Sequence, residues 1–162
     1  MADAELLFKW KNDKETIENS ITKRGVTMEE HLKWLQNVID NPNRQLFILD
    51  VDGISVGQLR LDLEVMSDAV ARETIKEERK AETANTIKIT AEISYGLGAE
   101  HRGKGLGKVL LEQAETLATM FKLTELTAEV LPHNIASQKL FRNLGYAEEI
   151  KDELYVYTKK CQ

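Results

Sequence analysis

Three glycines in the stretch "EHRGKGLGKVLL" alternate with basic and apolar residues between Arg102 and Gly107. Glycines let successive backbone N–H groups approach an anion closely. Apolar residues recur at helical spacing from Leu106 onward and predict that a helix begins near Gly105. The free N–H groups and the positive dipole end of a helix N-terminus attract phosphate. The stretch therefore predicts a site for a phosphate-bearing molecule that is held without a metal.

Two well-known phosphate motifs fail on specific residues. A Walker loop needs Ser or Thr after the Gly-Lys pair to hold Mg²⁺, and Gly105 follows Lys104 instead. A dinucleotide fingerprint needs G-x-G-x-x-G and an acidic residue about 20 residues further on. The glycines here are spaced by two, at 103, 105 and 107. On this motif alone, a glycine-rich helix start without a ligand stays open.

A second motif, "AEVLPHNIASQKLFRNLGY", follows as a predicted strand and helix with Gly145 as the helix C-cap. Together with "AEISYGLGAEHRGKGLGKVLLEQA" it resembles the GNAT superfamily, the Gcn5-related N-acetyltransferases. Residues Arg102–Gly107 match the family pattern Arg/Gln-x-x-Gly-x-Gly/Ala completely. The resemblance covers nearly the whole chain. It implies an acyltransferase that uses acetyl-CoA, so the phosphate-bearing molecule would be coenzyme A.

The resemblance also implies which residues hold the cofactor. Pantetheine would lie between two splayed strands and pair with the backbone of Leu97 and Ala99. Asn134 and Ser137 would touch the pantetheine arm. The pyrophosphate would be held by the loop that comprises Arg102, Gly103, Lys104, Gly105, Leu106, Gly107 and Lys108.

Acetyl transfer to a primary amine needs a base, because an ammonium group is not nucleophilic. Glu92, on the strand before the glycine motif, and Glu129, on the next strand, are the candidates. Glu129 resembles the position used by the family branch that acetylates a ribosomal-protein N-terminus. Either carboxylate could instead simply be paired on a strand surface. A backbone N–H, that of Leu97, would stabilise the tetrahedral oxyanion.

The proton for the departing thiolate has no obvious source. Many family members carry a tyrosine in the last helix, next to the cofactor, and Phe141 stands at that position here. Water would have to replace that acid. Tyr95 and Tyr146 are alternative donors that the sequence does not rank.

The surrounding patterns predict the elements that position these residues. Two helices, the second with a Thr27–Glu30 capping box, are joined by a polar connection over residues 13–26. Asp52-Gly53 predicts a hairpin turn, with a bulge near Gly57. The second half alternates strands and helices, which implies a right-handed crossover between parallel strands.

These patterns predict a single α/β domain over residues 1–162 with a mixed sheet. Its first half is antiparallel and its β-α-β core is parallel, as in the GNAT fold. A helix follows Met1 almost directly, so the first strand of the family is predicted to be missing. The sheet edge left uncovered would favour a homodimer.

Composition limits the function classes. The net charge of −5 disfavours nucleic-acid binding, and no apolar run approaches the ~20 residues of a membrane span. Cys161 is the single cysteine, so no disulfide framework forms, and a cytoplasmic location is expected. The three scattered histidines, which predict no metal site, are His31, His101 and His133.

Substrate choice would rest with residues 10–30 and a charged excursion over residues 65–85. The stretches "LLFKWKNDKETIENS" and "VDGISVGQLRLDLE" resemble GNATs of nonulosonic-acid pathways, which acetylate a nucleotide-linked amino sugar. A protein N-terminal or polyamine acetyltransferase is the alternative, and a non-catalytic acyl-CoA-binding module is a third. Basic residues that could meet a diphosphate at the entrance are Lys9, Lys11, Lys14, Lys23 and Arg24.

Overall fold

A computed structural model describes residues 3–67 and 87–161. The predicted excursion over residues 65–85 lies outside them except for its first residues, which belong to a strand. In chain order, the elements are α1 (Ala4–Lys11), α2 (Lys14–Glu18), α3 (Met28–Asp40), β1 (Arg44–Val51), β2 (Ile54–Ser67), β3 (Ile87–Leu97), a 3₁₀ turn (Ala99–His101), α4 (Leu106–Met120), β4 (Glu125–Val130), α5 (Ile135–Asn143), β5 (Ala147–Lys151) and β6 (Leu154–Lys160).

Helix α3 begins at the predicted capping box. The Thr27 hydroxyl accepts from the N–H of Glu30 at 3.2 Å, and the Glu30 carboxylate accepts from the N–H of Thr27 at 2.8 Å. Its buried stripe is His31, Leu35 and Val38. These residues recur one helical turn apart and face α1, so the apolar side chains beside them on α3 remain exposed.

The connection predicted over residues 13–26 is wrong in part, because it contains α2. Asp13 caps this helix by accepting from the N–H of Thr16 at 3.0 Å. The helix buries no residue completely. Its sequence has no apolar periodicity of the kind that predicted α1 and α3. The Asp13 cap was the available signal for this helix.

The six strands form one sheet in the order β1-β2-β3-β4-β6-β5. The β1–β2 hairpin turns at Asp52 and Gly53, whose φ angles of 51° and 77° suit the predicted turn. Leu49 pairs with Gly57 and the next residue, Asp50, pairs with Ser55. Val56 is therefore the extra residue of a bulge, beside the predicted position.

Strands β3 and β4 are parallel, as predicted, but pair over only three positions. The last pair is Glu92 with Thr127, although β3 continues to Leu97 and β4 to Val130. Beyond that pair, β3 bonds only to β2 and β4 only to β6. The two strands thus diverge, and we call this divergence the fork.

The sheet is covered on both faces. Helices α4 and α5 pack on one face, around a core whose fully buried side chains include Leu59, Leu61, Leu111, Leu126, Phe141 and Tyr157. Helices α1 and α3 pack on the opposite face of β1, against Leu46 and Ile48. The mixed α/β architecture is confirmed, and no strand precedes α1 among the residues described.

Candidate functional site

A groove of about 1050 Å³ opens at the fork. Residues Ser94–Leu97 of β3 form its floor. Helices α1–α3 line one side, and the N-terminal ends of α4 and α5 line the other. The groove therefore joins the predicted phosphate loop to the surface that the first three helices build.

The backbone of the glycine loop, Arg102–Lys108, is left-handed at two of its glycines. Gly103 and Gly105 have φ angles of 70° and 78°, in the left-handed region that favours glycine. Gly105 is the N-cap of α4 and accepts from the N–H of Lys108 at 3.1 Å. The first N–H groups of α4 have no carbonyl within the helix, so they are free for an anion.

Gly107 has a packing role. A Cβ on this residue would lie 2.9 Å from Cδ1 of Leu140 and 3.7 Å from the Tyr95 ring. The absence of a side chain lets the first turn of α4 approach α5 and β3. Leu106, Gly107 and Lys108 all line the groove, whereas Lys104 does not.

Arg102 lines the groove, and its side chain is bonded to the start of α2 and to β3. It forms a salt bridge with Asp13, donates to Glu15 at 3.1 Å and to the Thr16 hydroxyl at 3.0 Å, and reaches the Leu97 carbonyl at 3.2 Å. Burial raises the pKa of Asp13, but the hydrogen bonds from Arg102 and Thr16 and the charge of Arg102 together outweigh this, and the pKa is lowered overall. Arg102 thus joins the glycine loop to α2.

The remaining predicted cofactor residues fall into two groups. Leu97, Asn134 and Ser137 line the groove. Asn134 caps α5 by accepting from the N–H of Ser137 at 3.2 Å. Ala99 opens the 3₁₀ turn outside the groove lining, and Phe141 is 1% exposed in the core.

The two predicted bases lie on one face of the sheet, just outside the groove lining. Glu92 is the register partner of Asp62 on β2, and Glu129 lies two residues beyond Thr127 on β4. Burial, together with the charges of Glu129 and Asp62, raises the pKa of Glu92. Ser94 lies two residues further along the same face of β3 and reaches the groove floor.

The groove is cationic in a chain of net charge −5. Among its lining residues in the described ranges, eight are lysines or arginines and two are glutamates. Five of the cations lie on the side of α1–α3 and the first two strands, opposite the glycine loop. We call these the acceptor-end cluster: Lys11, Arg24, Lys33, Arg44 and Arg60.

Ion pairs balance only part of the acceptor-end cluster. Arg24 pairs with Glu30 at 3.1 Å, and Arg60 and Arg44 both pair with Asp62, at 2.9 and 3.5 Å. No carboxylate of the described residues lies within 4.0 Å of the Lys11 or Lys33 ammonium groups. Burial, followed by the charges of Arg60 and Arg24, lowers the pKa of Lys11.

Sequence reasoning found part of this cluster. Of the five basic residues predicted at the entrance, Lys11 and Arg24 line the groove. It missed Lys33, Arg44 and Arg60, which come from α3, β1 and β2 and meet only in the folded chain. The alternation of Arg60 with the buried Leu59 and Leu61 was the available signal for its face.

Within residues 3–67 and 87–161, no helix is long and apolar enough to cross a membrane. The same residues contain no group of three or more His, Cys, Asp or Glu side chains suited to a metal ion.

The model of the acetyltransferase (GNAT) domain family matches residues 1–147. The acetyltransferase PseH of Campylobacter jejuni is 25% identical over 162 residues, which cover 98% of this chain and 87% of that protein. YwnH of Bacillus subtilis is 41% identical over 59 residues, so that match spans 36% of each protein.

Among solved structures, the fold is similar to the spermidine N-acetyltransferase of Vibrio cholerae in complex with CoA and spermine. The TM-score is 0.75 over 98% of this chain and 90% of that chain. The identity is 15%, so this similarity concerns the fold alone.

Proposed function

The chain belongs to the GNAT acetyltransferase family, and on that premise we propose that it acetylates a small primary amine that carries anionic groups, with a nucleotide-linked amino sugar as the leading candidate. Acetyl-CoA, which GNAT acetyltransferases use, is the donor. Both substrates would bind in the groove, the donor between the glycine loop and the fork, and the amine at the acceptor-end cluster.

The cation-rich acceptor end is the observation that carries this proposal. Its five lysines and arginines face a groove in which the acidic lining residues, among those the structure describes, are Glu15 and Glu30. A polyamine would be repelled by this set, because like charges in a partly buried groove are weakly screened. A diphosphate would be attracted by it, and guanidinium groups match phosphate oxygens geometrically.

The donor site fits coenzyme A on independent features. The left-handed Gly103 and Gly105 expose N–H groups at the start of α4, where a pyrophosphate needs no metal. At the fork, the facing edges of β3 and β4 are no longer paired with each other by backbone hydrogen bonds. An extended pantetheine arm would add there much as an extra strand does.

The chemistry follows from these positions. The amine attacks the thioester carbonyl after it loses a proton, and the Leu97 N–H would stabilise the oxyanion. The raised pKa of Glu92 suits a base, since a carboxylate with a higher pKa holds a proton more strongly. Because Glu92 lies outside the groove lining, a water beside Ser94 would carry the proton to it.

A panel of amines tests the acceptor class. Thiol release from acetyl-CoA is measured with a uridine-diphosphate amino sugar, the same amino sugar without its nucleotide, spermidine and a peptide with a free N-terminus. The nucleotide-linked sugar should give the highest kcat/KM. Lys33→Gln should raise its KM several-fold, with little change in the KM of acetyl-CoA.

Preference for spermidine or the peptide would contradict the proposal and favour the polyamine or protein N-terminal alternative. Binding of CoA without turnover of any amine would favour a non-catalytic acyl-CoA-binding module. Lys151→Gln, at an exposed position on β5, is the matched control. It removes the same charge from a surface remote from the groove lining.

A further inference from the structure

We propose that Tyr95, hydrogen-bonded to Ser137, is the proton donor to the CoA thiolate, the role for which Phe141 lacks a hydroxyl. The inference rests on the donor half of the proposed function, in which acetyl-CoA occupies the groove, and is independent of which amine is acetylated.

The side chain of Tyr95 lies where strand, helix and groove meet. Tyr95 is on β3, beyond the last β3–β4 pair, so its backbone lines the open part of the fork. Its hydroxyl lies 2.8 Å from the Ser137 hydroxyl on α5, and both residues line the groove. The hydroxyl pair therefore bridges β3 and α5 across the path proposed for pantetheine.

Tyr95 also packs directly against Phe141. The two rings meet edge to face with centroids 6.1 Å apart. Phe141 is on the same helix as Ser137, one turn further on, and is itself buried in the core. Tyr95 thus lines the groove from the β3 side, with its hydroxyl bonded to another lining residue, Ser137, whereas the ring of Phe141 contributes only packing.

Two further tyrosines contact Phe141, and neither faces the groove. The Tyr146 ring is 5.0 Å away, but its hydroxyl is buried with no hydrogen-bond partner in the described part of the chain. The Tyr157 ring stacks at 5.0 Å, and its hydroxyl donates to Glu148. Of the three tyrosines around Phe141, only Tyr95 is placed to meet a ligand.

The proposed step balances as follows. When the tetrahedral intermediate collapses, the C–S bond breaks and its electron pair goes to sulfur. The Tyr95 O–H donates its proton to that sulfur, and the phenolate regains a proton from the Ser137 hydroxyl, which solvent reprotonates. Burial raises the pKa of Tyr95, so the hydroxyl keeps its proton at neutral pH until the thiolate forms.

A titration of bound CoA tests the contact without any amine. The ultraviolet absorbance of the thiolate is followed against pH for CoA bound to wild type, Tyr95→Phe and Tyr146→Phe, with the CoA-free proteins subtracted. A free thiol has a pKa of about 8.5. A hydrogen bond from Tyr95 stabilises the thiolate, so the pKa of the bound thiol should be lower in wild type than in Tyr95→Phe by about one unit.

Tyr146→Phe is the matched control, since it removes a hydroxyl from the other tyrosine that meets Phe141 edge to face, outside the groove. It should leave the pKa of the bound thiol at the wild-type value. Equal pKa values in wild type and Tyr95→Phe would overturn the proposal. A failure of the acceptor proposal appears in the amine panel instead, so the two results are distinguishable.

Kinetics with the best amine provide a second test. Tyr95→Phe should lower kcat about 100-fold, as loss of a general acid typically does, with a small change in the KM of acetyl-CoA. Ser137→Ala should lower kcat less, because solvent can reprotonate Tyr95. Wild-type kcat in a folded Tyr95→Phe variant, checked by circular dichroism, would refute the assignment.

Discussion

At the scale of single residues, three carboxylates share one face of the sheet near the fork. Asp62 and Glu92 are register partners across β2 and β3, and the charge of Glu129 helps to raise the pKa of Glu92. Such mutual repulsion keeps one carboxyl protonated to higher pH than usual. Because the charge of Glu129 helps to raise the pKa of Glu92, replacing Glu129 shows which of the two carboxylates is the base.

We expect Glu129→Gln to shift the acidic limb of the kcat/KM profile to lower pH. A base acts when deprotonated, so activity falls as the pH drops through its pKa. Removing one of the charges that raise the pKa of Glu92 lowers that pKa. Glu149→Gln, on the exposed strand β5, should leave the profile unchanged. If Glu129→Gln instead abolishes activity, Glu129 is the base.

Gly105 and Gly53 form a matched pair for the glycine loop. Their φ angles are 78° and 77°, and a Cβ on either would have no neighbour within 4 Å. Alanine at either position should therefore cost about 1 kcal/mol of unfolding free energy, the strain of a left-handed backbone. Only Gly105→Ala should weaken CoA binding in calorimetry. Equal CoA affinity in both variants would argue against the loop as the anion site.

At the scale of elements, α2 has no fully buried residue, and Arg102 contributes a polar connection to the glycine loop. A five-residue helix with so little apolar contact is not stable alone. Its position depends on the Asp13 cap and the Arg102 bridges, which also set the distance between α2 and the loop. The wall of the groove and its phosphate loop are thereby coupled.

Asp13→Asn should separate the cap from the salt bridge, because asparagine also caps helices well. We expect a loss of about 1 kcal/mol in unfolding free energy at pH 7. The pKa of Asp13 is lowered, so its stabilisation is present above the unfolded pKa of about 3.9 and disappears as the pH falls through the folded pKa.

Denaturant unfolding at pH 7 and below pH 4 measures the difference in unfolding free energy between wild type and Asp13→Asn. This difference should become smaller at the lower pH. Glu15→Gln should cost less, because the Glu15 side chain is 59% exposed and solvent screens its bridge to Arg102. If wild type and Asp13→Asn differ in unfolding free energy by the same amount at both pH values, the stability lost in the variant does not come from the ionic bridge to Arg102.

At the scale of the whole molecule, a net charge of −5 coexists with a groove of eight basic and two acidic side chains. The negative remainder of the surface disfavours polyanions, while the groove attracts small anions that fit inside it. A homodimer and a cytoplasmic location stay predictions from the sequence.

The salt dependence of catalysis follows from this distribution. At saturating acetyl-CoA, the KM of an anionic amine should rise as NaCl is raised from 20 mM to about 500 mM, since the Debye length falls below the groove dimensions. Lys33→Gln should flatten this dependence, and Lys151→Gln should not. A salt-independent KM in wild type would indicate an acceptor that does not use the cluster.

The sequence by itself determined the features that depend on neighbours along the chain. The apolar spacing from Leu106 onward predicts the start of α4 near Gly105, and Thr27 with Glu30 predicts the start of α3, because these depend on local backbone chemistry. The alternation of strands and helices likewise predicted the parallel β3–β4 pair. Among the α-helices of residues 3–67 and 87–161, α2 was the one that the sequence did not predict, because it has no apolar stripe.

Tertiary structure decided whatever depends on residues far apart in sequence. Arg102 at the pyrophosphate stays a prediction, but the bonds of its side chain to Asp13 and Glu15, 89 and 87 residues earlier, appear only in the folded chain. The proposal that Tyr95 rather than Tyr146 is the proton donor depends on the hydrogen bond of Tyr95 to Ser137, 42 residues away. The acceptor-end cluster likewise joins cations from two helices, the connection between α2 and α3, and two strands. Side-chain direction and long-range charge are set by packing, which local periodicity does not encode.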